Sequence, residues 1–241
     1  MKETLVKDII IEVTRDHIKD VILANRSITK ADYLEFLKNI GIDVSRNILC
    51  LYIPNNTNTY HKIREFVLGD ETWSWLEKNA YHTKVVQDII APTVYDKFTE
   101  VTIRKDKLSI RKEVEKGIGP LYIDINTLGE GVKRTTLIYL ITEYLNPRLI
   151  LWDDIETAMH PSLLRTTLKR LTEQDRQVIV TTHSIDVLTE LAYLEPKNTQ
   201  AILLTKTPND IVNYKTLTID QLDEILEKGL DPRKLADILK L

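Results

Sequence analysis

Short apolar runs alternate with segments of helical periodicity along the second half of the chain. Leu121–Ile125 reads as a strand, and Val132–Tyr144 carries apolar residues at helical spacing. Leu149–Trp152 (LILW) is a second apolar run, and Pro161 opens a helix through Leu171 with Leu163, Leu164, Leu168 and Leu171 on one side. Gln177–Val180 predicts another buried strand, after which Ser184 caps a helix that turns Ile185, Leu188 and Leu191 inward. Ala201–Thr205 and Val212–Leu217 are predicted strands, the latter a paired edge. Asp220–Glu227 and Pro232–Leu239 are closing helices separated by Gly229, with Asp231 and Pro232 starting the second. Strand and helix in alternation imply parallel pairing with right-handed crossovers.

The first half has a different rhythm. Asp8–Val13 and Ile18–Leu23 are β-rich, and Thr29 has the position of an N-cap for a helix over Ala31–Ile40 that Gly41 closes. A strand over Ile48–Ile53 runs into the polar loop Pro54–Asn58. From His61 to Asp96 the pattern is helical, with Trp73, Leu76, Val85, Val86, Ile89 and Ile90 as core positions. A β-hairpin over 98–114 follows, turning at Lys105–Lys107. Three regions result: a β-rich part at 1–60, a helical subdomain with the hairpin at 61–120, and an α/β core at 121–241. No repeat or Ser/Gly-rich linker separates them, so they are expected to pack together.

The candidate chemistry lies at the end of the LILW strand. Asp153 and Asp154 follow it directly, and a buried parallel strand delivers such residues to the sheet's C-terminal edge, where open α/β folds bind ligands. Upstream, Asn126–Arg134 (NTLGEGVKR) is a glycine-spaced turn opening a helix. Downstream, QVIVTTHS ends a strand in Thr181, Thr182, His183 and Ser184.

Glycine turn, acidic strand, helix and histidine-ending strand, in that order, resemble the C-terminal half of ABC-class P-loop ATPases. The resemblance is to the branch related to SMC, RecF and OLD proteins, often grouped with AAA-type domains, and it implies a P-loop NTPase-like α/β fold with a mostly parallel sheet. It covers Leu128 to about Ser184. By resemblance, Leu128, Gly129, Glu130 and Gly131, with Val132, stand at the signature that meets the γ-phosphate on an opposite subunit. Asp153 stands at the Walker B aspartate that holds Mg2+, and Asp154 at the catalytic carboxylate that positions water. Thr157–His160 fall on the D-loop, and His183 on the switch histidine. ATP and Mg2+ are then the cofactors, and the partner is a second copy or a different subunit across the nucleotide. Nucleic acid enters by family analogy alone.

Two departures concern hydrolysis. Gly129 replaces the signature serine, leaving only backbone N–H groups and a helix N-terminus as donors. Asp154 is one methylene shorter than glutamate. A third departure is larger: the chain has seven glycines and no G-x-x-x-x-G-K-[ST], so no nest or lysine for the α- and β-phosphates. A longer chain, a partner subunit that supplies the loop, or a non-catalytic dimerisation or regulatory module that kept the fold would each account for this. At Gly131, an added side chain is expected to block closure on nucleotide without unfolding the monomer.

Composition narrows the class. Hydrophobic content of 43% beside 29% charged residues is that of a globular domain, with no run of about 18 apolar residues to span a bilayer. The N-terminus lacks a signal-peptide pattern, so a cytoplasmic location is expected. Cys50, the only cysteine, sits between Leu49 and Leu51 and is expected to be a buried strand residue. A net charge of −3 gives no global footprint for nucleic acid. The local cluster Arg104, Lys105, Lys107, Arg111 and Lys112 reads first as a solvated hairpin face. Asn55 reads as a turn residue over a magnesium contact, and His160 as a helix cap or a subunit contact. His17, His61 and His82 lack ligand spacing. A Ser/His/Asp hydrolase is disfavoured: Ser184 follows His183 directly, and no G-x-S-x-G elbow is present.

Overall fold

A computed structural model describes residues 9–14, 17–23, 26–28, 50–94, 96–114 and 119–234. The chain divides into two units, Met1–Leu49 and Cys50–Leu241. In the first, β1 (Ile9–Thr14), β2 (His17–Leu23) and β3 (Arg26–Ile28) form an antiparallel sheet in that order. The helix expected at 31–40 lies outside the described residues, as does most of the one expected at 232–239.

The second unit is built around a three-stranded parallel sheet, β4 (Cys50–Ile53), β8 (Leu149–Trp152) and β9 (Gln177–Val180), with β8 central. The Leu149–Trp152 run, predicted as a buried strand, is thus the middle one. Ile53 and Ile150 are fully buried, with Trp152 beside them, against Leu164 and Leu168 of helix α5 (Pro161–Thr172). Trp152 packs beneath the acids that follow it.

Between β4 and β8 the chain builds the helical subdomain. Helices α1 (Thr57–Leu68), α2 (Asp70–Lys78) and α3 (Tyr81–Val85), the last continuing through a π-turn at Val86–Ile90, surround Trp73, Leu76, Val85, Val86, Ile89 and Ile90. All six residues predicted as core are buried. The hairpin β5 (Phe98–Arg104) and β6 (Lys107–Lys112) gains a third strand, β7 (Leu121–Asp124). Lys105 and Asp106 both take positive φ, as a two-residue hairpin turn of matching twist requires.

Helix α4 (Glu130–Leu145) is buried on nearly every side. It runs between the two cores, giving Leu137, Leu140 and Ile141 to the subdomain and Ile138 to the parallel sheet. Beyond β9, helix α6 (Ile185–Leu194) leads to a separate ribbon, β10 (Gln200–Lys206) with β11 (Val212–Thr218), closed by α7 (Ile219–Glu227). A capping box at Thr218 and Gln221 starts α7.

One expectation fails here. Cys50 is exposed, because it opens β4 on the sheet face that nothing described covers, although partial burial raises its thiol pKa.

Candidate functional site

Three strands end at one edge, and each contributes a polar residue there. The ladder continues one step past the strands: Asp153 N–H donates to Ile53 C=O (3.0 Å) and Thr181 N–H to Trp152 C=O (2.9 Å). Pro54, Asp153 and Thr181 are thereby set side by side, with Asn55 one residue further on, within reach of Asp154. The Thr181 hydroxyl donates to Asp153 Oδ1 at 2.6 Å and accepts from the Asp154 N–H at 2.9 Å. One hydroxyl therefore fixes both acids, anchoring one oxygen of Asp153 and the backbone of Asp154.

Asp154 leaves the strand direction altogether, with φ of 47°. Its carboxylate receives the Asn55 amide at 3.0 Å, and Arg134 in turn donates to Asn55 Oδ1 at 3.0 Å. Arg134 is buried, only 7% exposed, with its guanidinium 4.0 Å above the Tyr60 ring. Burial pushes the Tyr60 phenol pKa up, and the nearby Arg134 charge opposes that rise. Asn55 is thus more than a turn residue: it links a buried cation to the second acid. Arg134 has no ion-pair partner among the described residues, and besides Asn55 it reaches the Thr157 carbonyl of the turn that follows the acids.

The turn after the acids joins the remaining pieces. Glu156 accepts the His183 N–H at 2.9 Å, and Arg233, itself held by Asp231, donates to the His183 carbonyl at 2.7 Å. The His183 backbone is clamped from both sides while the residue stays exposed. His160 takes its simpler role, accepting the Ser162 N–H as the cap of α5.

The glycine turn divides into two parts. Gly129, with φ of 99°, caps α4 without a side-chain bond, so the first N–H groups of that helix stay open. Among the described residues, Leu128 and Gly129 make none of the bonds that join the acids, and Glu130 pairs with Lys133. Gly131 behaves differently. It is buried, and a Cβ there would run into the Ala158 carbonyl oxygen and stand 3.0 Å from its carbon. The expectation that a side chain at Gly131 would spare the monomer is therefore corrected: its missing Cβ is already required by packing within the chain.

Among the described residues no three carboxylate, imidazole or thiolate groups converge on one point. The hairpin's basic cluster is largely neutralised. Lys107 pairs with Asp124, Arg111 with Glu113 at 2.7 Å and Lys112 with Asp96 at 2.6 Å, while Arg104 stacks on Tyr122. The Lys112 ammonium holds the Asp96 carboxyl below the usual range. No helix among the described residues is long and apolar enough to cross a membrane.

Several partners in this network were hidden in the sequence. Thr181, Arg134, Glu156 and Arg233 belong to no residue pattern of catalytic type, and only the Thr181–Thr182 pair beside His183 hinted at one of them.

The chain is similar to several known proteins. Residues 53–190 match the AAA_21 family, described as "AAA domain, putative AbiEii toxin, Type IV TA system". An uncharacterized protein of Methanocaldococcus jannaschii, MJECL11, is 37% identical over 65 residues, 25% of this chain. The matched segment spans 57% of that relative's length. Among solved structures, an SMC head bound to the C-terminal winged-helix domain of ScpA superposes with a TM-score of 0.50 at 14% identity, covering 88% of this chain and 66% of that one. An SMC head with an extended coiled coil from Pyrococcus furiosus, bound to the C-terminal domain of ScpA, gives 0.49 at 10% identity, covering 87% and 71%. The matched family spans more than half of the chain and includes the acid pair and the strand-ending histidine, so the chain belongs to the AAA_21 family of ATPase-type domains, with a P-loop NTPase-like fold of the SMC-head kind.

Proposed function

We propose that the chain binds and hydrolyses ATP as part of an ABC-class ATPase whose phosphate loop lies outside these 241 residues. The observation that carries the reading is the Thr181 hydroxyl between Asp153 and Asp154, which holds two adjacent acids in fixed, different orientations. A turn that merely ended a strand would not need both.

Asp153 offers hard oxygen donors of the kind Mg2+ takes, and one or two carboxylates with phosphate oxygens is that ion's usual protein environment. Bound there, Mg2+ would neutralise charge on the phosphates. Asp154, steadied by Asn55, accepts a hydrogen bond from the attacking water and orients it. His183, at the end of the neighbouring strand, donates toward the γ-phosphate. The open N–H groups after Gly129 face a nucleotide held by a second subunit, giving a head-to-tail dimer of like or unlike chains.

The decisive measurement is ATP turnover by the complete assembly carrying Asp154→Asn. Loss of the acceptor should lower turnover about 10²–10⁴-fold, with ATP-dependent dimerisation retained because Asp153 is unchanged. Wild-type turnover in the variant would make the second acid structural.

A second reading, a dimerisation or regulatory module without catalysis, is favoured by one observation: no G-x-x-x-x-G-K-[ST] occurs in the sequence. Dimerisation indifferent to ATP in the wild-type assembly would select it.

A further inference from the structure

His183 stands in the short link between β9, which ends at Val180, and α6, which starts at Ile185. The first residue of the link is tied to the sheet, since the Thr181 N–H donates to Trp152 and its C=O accepts from Ile155. Further on, the Ser184 N–H donates to the Thr182 hydroxyl at 2.9 Å and the Ser184 hydroxyl accepts the Asp186 N–H at 3.1 Å. Those last two bonds join near neighbours and travel with the link. His183 itself is fixed to distant parts of the chain by a charged side chain on each side, Glu156 Oε1 at its N–H and Arg233 Nη1 at its C=O.

A peptide unit is planar, so holding the N–H sets the plane before Cα and holding the C=O sets the plane after it. With both planes set, the direction of the His183 Cα–Cβ bond is set as well, and only the side-chain torsions remain. Hydrogen bonds to charged groups are about twice as strong as neutral ones, which suits them to hold a residue that neither strand nor helix contains.

Arg233 is shaped for this contact by its own surroundings. Asp231 takes its Nε at 2.8 Å and its Nη2 at 2.7 Å, a two-point grip along one edge of the planar guanidinium, and accepts the Arg233 backbone N–H at 3.0 Å. Nη1 is left to reach the carbonyl of His183 across 50 positions of sequence. The turn that carries the pair is closed by Leu230 N–H to Ile225 C=O at 3.2 Å and Lys234 N–H to Asp231 C=O at 3.0 Å, with Pro232 buried between them. Arg233 stays exposed, and an exposed ion pair contributes little to stability. What the arrangement provides is placement.

We infer that Arg233, gripped by Asp231, is a positioning residue for His183, setting the peptide plane from which the imidazole is presented to the γ-phosphate. The role of His183 rests on the nucleotide reading; the clamp on its backbone does not. Lysine is no substitute at position 233, because one ammonium cannot grip Asp231 along one edge and donate to the carbonyl from another.

The test uses the full chain for the clamp and the complete assembly for the chemistry, each as wild type, Arg233→Ala and Arg233→Lys. Arg165→Ala is the control, since Arg165 grips Glu190 in the same two-point way, at 2.7 and 2.9 Å, between α5 and α6. In the full chain the Ser184 N–H lies on the plane that Arg233 holds. Its NMR order parameter should be about 0.85 in wild type and in Arg165→Ala and fall toward about 0.6 in both Arg233 variants, with melting close to wild type. In the complete assembly both Arg233 variants should lower kcat for ATP by about 10- to 10²-fold at unchanged KM, and Arg165→Ala should not. Unchanged order at Ser184, or full turnover in the Arg233 variants beside slow turnover in Asp154→Asn, would overturn the assignment and leave the nucleotide reading standing. Wild-type turnover in Asp154→Asn would overturn that reading and the assignment together. A large fall in melting temperature in both Arg233 variants would make Arg233 a structural residue and overturn the assignment as well.

Discussion

Gly131→Ala tests the packing between the start of α4 and the turn after the acids. In an ordinary helix this change is favourable by about 1 kcal/mol. Here the new Cβ meets the Ala158 carbonyl oxygen, with Ala158 C at 3.0 Å and Leu163 Cδ2 at 3.2 Å. Leu163 can rotate, but the carbonyl cannot. It belongs to a turn closed by Thr157 N–H to Asp154 C=O and Met159 N–H to Glu156 C=O, both 3.0 Å. Arg134 also reaches the Thr157 carbonyl. Overpacking of this kind costs about 1–3 kcal/mol, enough to outweigh the helical gain. For a chain of this size each 1 kcal/mol moves the melting temperature by about 2–4 °C, so thermal melting should show a drop of a few degrees. Gly129→Ala is the comparison. No atom lies within 4 Å of its Cβ, yet φ of 99° with ψ of 152° is a region other residues enter at a cost of about 1–3 kcal/mol. Both variants should melt lower, but only Gly131→Ala should move the amide resonances of Thr157–Met159. A Gly131→Ala protein as stable as wild type, or more so, would refute the close approach.

Two further outcomes follow from the site. Asn55→Ala removes an acceptor from the buried Arg134 and a donor from Asp154, and urea titration should show a loss of about 1–3 kcal/mol; an unchanged midpoint would mean that the linkage carries no stability. Asp231 hydrogen-bonds to Arg233, which pulls its carboxyl pKa down from 3.8 to about 2. A depressed acid stabilises the fold above its unfolded pKa, and that contribution fades as pH falls through the folded value. The Arg233 Nε–H and backbone N–H, both of which donate to Asp231 Oδ1, should therefore hold steady above about pH 4 and change together as the pH approaches 2. Independent titrations would break the clamp between them.

The sheet and its carboxylate edge were legible because the signal is local. A four-residue apolar run, two acids and a turn appear together in the sequence, as does the later run ending in His183. The six core residues of the subdomain were equally plain from helical spacing. What could not be read is the non-local part. Asn55 looks like any turn asparagine until β4 is placed beside β8, and Arg134 looks like a solvated charge until α4 is known to be buried on nearly all sides. Gly131 shares a turn with Gly129, yet one glycine answers to a neighbouring carbonyl and the other to its own backbone. Cys50 misled because apolar neighbours predict burial only if both faces of the strand are covered.

Asp154 gives the sharpest separation between a held site and an ordinary turn. The left-handed conformation costs most L-residues about 1–2 kcal/mol, somewhat less for Asp. Positive φ recurs at turns among the described residues, at Gly119, Gly129 and Gly229 and at non-glycine residues such as Lys105, Asp106 and Ala158. What distinguishes position 154 is its bonds: the turn of the backbone brings the N–H to Thr181 and the side chain to Asn55. In an extended strand, Asp153 and Asp154 would point to opposite faces. Substitution can divide the backbone term from the side-chain term. Asp154→Gly and Asp154→Ala both delete the carboxylate, so on the proposed reading both should lower turnover in the complete assembly by about 10²–10⁴-fold. They should differ in stability, the glycine variant being the firmer by about 1–2 kcal/mol in denaturant titration. Alanine at least as stable as glycine would show that the backbone here is not left-handed, and with it would go the argument that conformation, not spacing alone, sets the second acid.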